Sequence, residues 1–165
     1  MASFGRLRHQ VISMTPRADA VAGSLEELAA TIGNVSSIGV DAVDIAGFER
    51  DLRFGGEEFL AQCFSPAEVD YCNGEVDKLA TRFALKEAAL KVLGTGMRGI
   101  GLHDIEIATA PSGEPRIQLS TAAQSVAADR NLGRLCCSAT REAGLALAIV
   151  AAEDISHRSN AKEHS

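Results

Sequence analysis

The stretch Leu79-Ala-Thr-Arg-Phe-Ala-Leu-Lys-Glu-Ala-Ala-Leu-Lys-Val-Leu93 constrains this chain more than any other. It holds neither Gly nor Pro, and Ala, Leu, Lys, Glu and Arg, all strong helix formers, fill most of it. Gly94 follows as a C-terminal stop. At the helical period Leu79, Phe83 and Leu90 share one side, and Leu85 and Val92 another. A helix apolar on several sides is central to its domain. Glu87 and Lys91 lie one turn apart, on a strip otherwise made of Ala80, Ala84 and Ala88. Taken alone, that pair has a plain reading as a solvated i,i+4 salt bridge, worth about 0.3–0.5 kcal/mol.

The rest of the chain has to pack around this helix. Its 165 residues, 46% of them hydrophobic, suit one domain with a sizeable core. Aromatics make up 4% and Trp is absent, so the core is aliphatic and Ala-rich. A net charge of −6 without a basic block argues against a nucleic-acid partner. Cys63, Cys72, Cys136 and Cys137 show no CxxC spacing and read as thiols of a reducing cytoplasm. The longest apolar run, Leu145 to Ala152, is too short to span a bilayer, so no membrane partner is expected.

Taken in order, residues 1–34 read as an N-terminal extension. Its one structural signal is the capping-box sequence Ser24-Leu-Glu-Glu27, which predicts a short helix through about Ile32. Residues 35–153 read as the domain, and residues 154–165 as a polar tail. Ser37 to Asp41 alternates as a strand does. Asp41 and Asp44 then fall at the strand end or the turn after it, where an Asp either holds a metal or caps the following helix. Phe48 to Phe54 and Glu57 to Cys63 read as helix, broken at Gly55-Gly56. In Phe64-Ser-Pro-Ala-Glu68, Ser65 is an N-cap, Pro66 suits the first helical position, and Glu68 completes a capping box. That helix should stop at Asn73-Gly74.

Past the central helix, Gly94-Thr-Gly-Met-Arg-Gly-Ile-Gly101 is a pliant loop that lets backbone approach a phosphate. Asp104 to Ala110 and Pro115 to Leu119 read as a hairpin about the turn Pro111-Ser-Gly-Glu114. Ser120-Thr121 starts a helix to about Asp129. Leu135 to Ser138 and Gly144 to Ala152 are the last strands. His103 reads as a surface or packing residue. This order of elements predicts an α+β fold, an antiparallel sheet packed on a long central helix.

Gly39-Val-Asp41, Phe64-Ser-Pro-Ala-Glu68, Arg82-Phe-Ala-Leu-Lys-Glu-Ala88, Lys91-Val-Leu-Gly-Thr-Gly96 and Ser112-Gly-Glu-Pro115 occur in one order at workable spacings. Together they resemble the 4′-phosphopantetheinyl transferase family, in its small holo-(acyl-carrier-protein) synthase type. The resemblance covers roughly Ser36 to Glu153.

It implies the family's fold and its reaction. In that reaction 4′-phosphopantetheine passes from coenzyme A to a serine of an apo acyl carrier protein, and adenosine 3′,5′-bisphosphate is released. It also implies a Mg²⁺ site on Asp41 and Glu87. Lys91 would neutralise the phosphates beside them, and Glu87, directly or through water, is the candidate base. Arg82 and Lys86 would reach the coenzyme A phosphates or fix the site. Gly94, Thr95, Gly96, Pro115, Ser138 and Thr140 would line the coenzyme. A cytoplasmic homotrimer with sites between subunits is the expected assembly.

Two departures stand out. Gly47 sits where many relatives carry an Arg that grips the carrier, although Arg50 and Arg53 are close by. Ala139 replaces the histidine of a Ser-His-Thr run. The alternative function is a non-catalytic homologue that binds a carrier protein or coenzyme A.

Overall fold

The computed structural model describes residues 35–94 and 99–156. The capping-box helix expected near Ser24, the loop residues Thr95 and Gly96, and most of the polar tail lie outside the described residues. Among the described residues the order is β1 (Val35–Asp44), α1 (Ile45–Cys63), α2 (Pro66–Cys72), α3 (Val76–Leu93), a 3₁₀ turn (Leu102–Asp104), β2 (Ile105–Thr109), β3 (Pro115–Leu119), α4 (Thr121–Asp129), β4 (Leu132–Glu142) and β5 (Leu145–Asp154). The architecture is α+β, with two antiparallel sheets in place of one. One has the strand order β1-β5-β4, and the other is the β2–β3 hairpin.

The long helix α3 is the hub. Ala80, Ala84, Ala88 and Ala89 are completely buried, together with Leu85, Val92 and Leu93. The inner face of β5 is built the same way, from Ala146, Ala148, Val150 and Ala152. Small side chains on both surfaces let helix and sheet approach closely, which is why a core this poor in aromatics still closes. The alanine strip therefore faces the sheet. Four of the phenylalanines pack at one end, Phe48 against Phe59, Phe64 and Phe83 with centroids 5.3–6.4 Å apart.

The closest approach is at Gly39 of β1. A Cβ there would lie 2.0 Å from the carbonyl oxygen of Ala88. Only glycine lets strand and helix backbones meet at this point.

Local signals set most element ends. Ser65 Oγ accepts from Glu68 N while a Glu68 carboxylate oxygen accepts from Ser65 N, closing the capping box. Ser120 caps α4. Gly94 ends α3 in the left-handed region at φ 63°. Gly56, at φ 55° and ψ −141°, interrupts α1 where the Gly pair predicts a break, and the chain re-enters helix at once.

Two segments depart from expectation. Asp104 is not in the strand: its carboxylate accepts from Gly101 N at 2.9 Å and Ser120 Oγ at 2.7 Å, holding the 3₁₀ turn. The final strands are longer than predicted because they run into a two-residue turn. Ala143 (φ 50°) and Gly144 (φ 78°) both take the left-handed conformation that matches the twist of the paired strands.

The three-stranded sheet covers α3 with one face only. On its other face Ile38 and Val40 are 54% and 56% exposed.

Candidate active site

Asp41 lies on the helix-facing side of β1, two residues beyond Gly39. The Gly39–Ala88 contact therefore sets it beside Glu87, the residue before Ala88 on α3. The two readings of the Asp pair fall on different residues. Asp44 is the N-cap of α1, accepting from Gly47 N at 2.8 Å, while Asp41 faces the helix.

Lys91 Nζ donates to Asp41 Oδ1 at 2.9 Å and to the Val40 carbonyl at 2.7 Å. The plain i,i+4 pair with Glu87 does not form, because Lys91 is drawn across to the strand. Among the described residues Glu87 has no hydrogen-bond or ion-pair partner. Its carboxyl is held above the ordinary carboxylate range by burial first and by the negative charge of Asp41 second, with Lys91 opposing. Asp41 and Glu87 line one open cavity of about 420 Å³ together with Asp44, Asp51, Phe48 and Phe83.

These donors are hard oxygens, and one carboxylate is raised partly by the charge of the other. A dication relieves that repulsion, so the residues fit a Mg²⁺ ion, which takes one or two carboxylates and leaves its other positions to water and phosphate. Among the described residues no three His, Cys, Asp or Glu side chains gather as a closed metal cage.

The remaining predicted site residues form a second group. Five residues separate Arg82 from Glu87 on α3, which turns their side chains roughly 140° apart about the helix axis. Arg82 Nη2 donates to Thr109 Oγ1 at 2.8 Å, and its guanidinium lies 4.1 Å from the centroid of the Tyr71 ring. Its Nε is buried without a partner. Arg82, Tyr71, Thr109, Pro115, Thr140 and Arg141 line a pocket of about 190 Å³. Arg141 is paired with Asp77 at the first turn of α3. Ser138 and Pro115 border an adjoining cleft of about 550 Å³ that also holds Arg116 and Arg134.

Lys86 stands apart from both groups. It is completely buried, and its three N–H donors are taken by Glu68 Oε2 and the Cys63 carbonyl, both at 2.6 Å, and the Leu102 carbonyl at 3.3 Å. A direct contact with a coenzyme A phosphate is not open to it in this arrangement. Gly94 sits at the end of α3 against Arg130, whose guanidinium fills the place of a Cβ.

Tyr71, Thr109 and Arg141 escaped the sequence reading. Tyr71 and Thr109 sit at element ends that turn chemistry already explained, and only the fold brings them to Arg82.

Comparison with known proteins bears on this arrangement. Residues 37–150 match the model of the 4′-phosphopantetheinyl transferase superfamily. A holo-[acyl-carrier-protein] synthase of Geobacter sp. (strain M21) is 38% identical over 119 residues, covering 70% of this chain and 95% of that protein. The crystal structure of the Helicobacter pylori holo-[acyl-carrier-protein] synthase in complex with coenzyme A aligns with a TM-score of 0.64 at 33% identity, covering 70% of this chain and 99% of that one. The corresponding enzyme of Neisseria meningitidis aligns with a TM-score of 0.67 at 30% identity, covering 73% and 99%. By this family match and the identity to these relatives, this chain belongs to the 4′-phosphopantetheinyl transferase superfamily.

Proposed function

We propose that this protein moves 4′-phosphopantetheine from coenzyme A to the serine hydroxyl of an apo acyl carrier protein and releases adenosine 3′,5′-bisphosphate. The observation that carries this reading is that Asp41 and Glu87 line one open cavity while Lys91 is bonded to Asp41.

Asp41 and Glu87 would hold a Mg²⁺ ion, which when bound draws charge from the diphosphate as its bond to the leaving nucleotide breaks. Lys91 is already aimed at the site by Asp41 and Val40, so its ammonium meets an incoming phosphate without a search through rotamers. Glu87 is the base and takes the serine proton directly or through one water. Ala139 has only a methyl group and carries no proton, so no imidazole takes part from that position. Arg82, Pro115, Ser138 and Thr140 take the nucleotide end of coenzyme A.

One protomer presents these as two separate groups. This supports an assembly in which the metal group of one subunit faces the nucleotide group of the next. The exposed sheet face around Ile38 and Val40 is the surface for that contact, and a homotrimer is the assembly proposed. Arg50, Arg53 and the 91%-exposed Phe54 on α1 form the carrier-docking surface, with Arg53 partly neutralised by Glu49 at 3.5 Å. The cytoplasm is the compartment proposed for this reaction. Among the described residues no helix is long and apolar enough to cross a membrane.

The experiment is to mix the protein with Mg²⁺, coenzyme A and candidate apo carriers and read the carrier mass. A gain of one phosphopantetheinyl group supports transfer. Binding of carrier or coenzyme without any gain would support the non-catalytic alternative.

A further inference from the structure

The interior holds one ion pair that the reaction does not use, Lys86 with Glu68, and both side chains are essentially inaccessible. Their partners are backbone groups at element ends and edges. Lys86 takes the carbonyls of Cys63, where α1 ends, and Leu102, ahead of β2. Glu68 accepts from Ser65 N at the start of α2 and from Ile107 N at 3.0 Å. The Ile107 N–H lies on the edge of β2 away from β3, where no strand supplies an acceptor.

The pair thus takes the place of missing secondary-structure partners and fastens the β2–β3 hairpin to α3. One helical turn before Lys86, Arg82 reaches the same hairpin at Thr109, two residues beyond Ile107. Pro115 follows across the turn on β3.

We infer that Lys86 and Glu68 are positioning residues for the nucleotide end of coenzyme A, holding the hairpin so that Thr109 and Pro115 meet Arg82 at the distance the pocket requires. This rests on the reading that the nucleotide end binds in the Arg82 pocket. The metal group does not depend on the pair. It is set by the Gly39–Ala88 contact and by the Lys91 hydrogen bonds on the opposite side of α3. Stability alone does not call for a buried ion pair, because apolar side chains of similar volume in such places are commonly neutral or stabilising.

The test uses the full chain and three proteins: wild type, the double variant Lys86→Met/Glu68→Leu, and Glu68→Gln. Coenzyme A and adenosine 3′,5′-bisphosphate binding are measured by calorimetry, beside Tm and the kinetic constants. The double variant leaves Ile107 N–H without its acceptor while keeping the interior filled. It should melt at a lower Tm, because buried backbone groups lose their partners. While still folded it should bind both ligands roughly tenfold more weakly, the scale expected when the support behind a binding group is lost. KM for coenzyme A should rise with kcat changed far less.

Glu68→Gln keeps an acceptor for Ile107 N–H but turns an amide NH₂ toward Lys86 and Ser65 N. It should fold and show the same loss in milder form. Wild-type ligand affinity in the double variant at a temperature where it is fully folded overturns the inference. If the double variant fails to fold, wild-type affinity in Glu68→Gln overturns it equally. A wild-type protein that binds neither ligand sinks the functional reading itself, and this inference with it.

Discussion

Lys91 and Asp41 lie 50 residues apart in the chain, yet the lysine ammonium donates to the aspartate carboxylate at 2.9 Å. The same ammonium holds the Val40 carbonyl at 2.7 Å, so one side chain ties helix to strand. In the ligand-free protein Asp41 serves as a placeholder for the anion that Lys91 is proposed to meet.

Replacing Lys91 by Met should leave the fold intact, because the lysine is largely exposed and the helix end is fixed by Gly94. Turnover should fall by about 10²-fold or more, the usual cost of removing a preorganised donor to developing charge. Steady-state kinetics of the variant check this, and near-wild-type kcat would show that Lys91 is not the phosphate partner.

Gly39→Ala tests the contact that brings the carboxylates together. Its Cβ would meet the Ala88 carbonyl at 2.0 Å, and backbone cannot swing aside as a side chain can. A destabilisation of about 1–3 kcal/mol in urea unfolding is expected. The loss of activity should persist under conditions where the variant is fully folded.

The raised pKa of Glu87 has a signed consequence for the metal-free protein. A folded-state pKa above the unfolded value means that folding favours the protonated carboxyl. Its effect on stability is most favourable below about pH 4.5 and is lost as pH rises through the folded value. Glu87→Gln should therefore be more stable than wild type near neutrality, with the difference shrinking as pH falls toward 4.5. Thermal unfolding of both proteins across that range measures it, and a difference independent of pH would show that Glu87 carries no such penalty.

Val40→Lys places a charge on the exposed outer face of the sheet, away from α3. Light scattering should show the proposed assembly reduced to a monomer with its fold unchanged. An unaltered mass would move the subunit contact elsewhere.

Much of this molecule is legible along the chain, and the reason is local. Ser65, Pro66 and Glu68 announce a helix start through their own hydrogen bonds, and Gly94 a helix end. Asp41, Glu87 and Lys91 stand out by motif, and the fold brings the two carboxylates to one cavity and Lys91 onto Asp41. What stays hidden is long-range. Glu68 is fully explained by its cap, so nothing signals that its other oxygen holds β2. Lys86 sits in a motif beside Glu87 and reads as a ligand contact until its burial is known. Tyr71 and Arg82 meet only because α2 folds back on α3.

Asp41 and Glu87 are the residues proposed to hold the Mg²⁺ on which phosphopantetheine transfer would depend. The most direct measurement is the mass of an apo carrier protein after incubation with coenzyme A, Mg²⁺ and either wild type or a charge-neutral variant, Asp41→Asn or Glu87→Gln. On this assignment wild type should add one phosphopantetheinyl group and need Mg²⁺ to do so, while each variant should stay folded and add none. Transfer by both variants at the wild-type rate, or by wild type stripped of divalent metal, would contradict it.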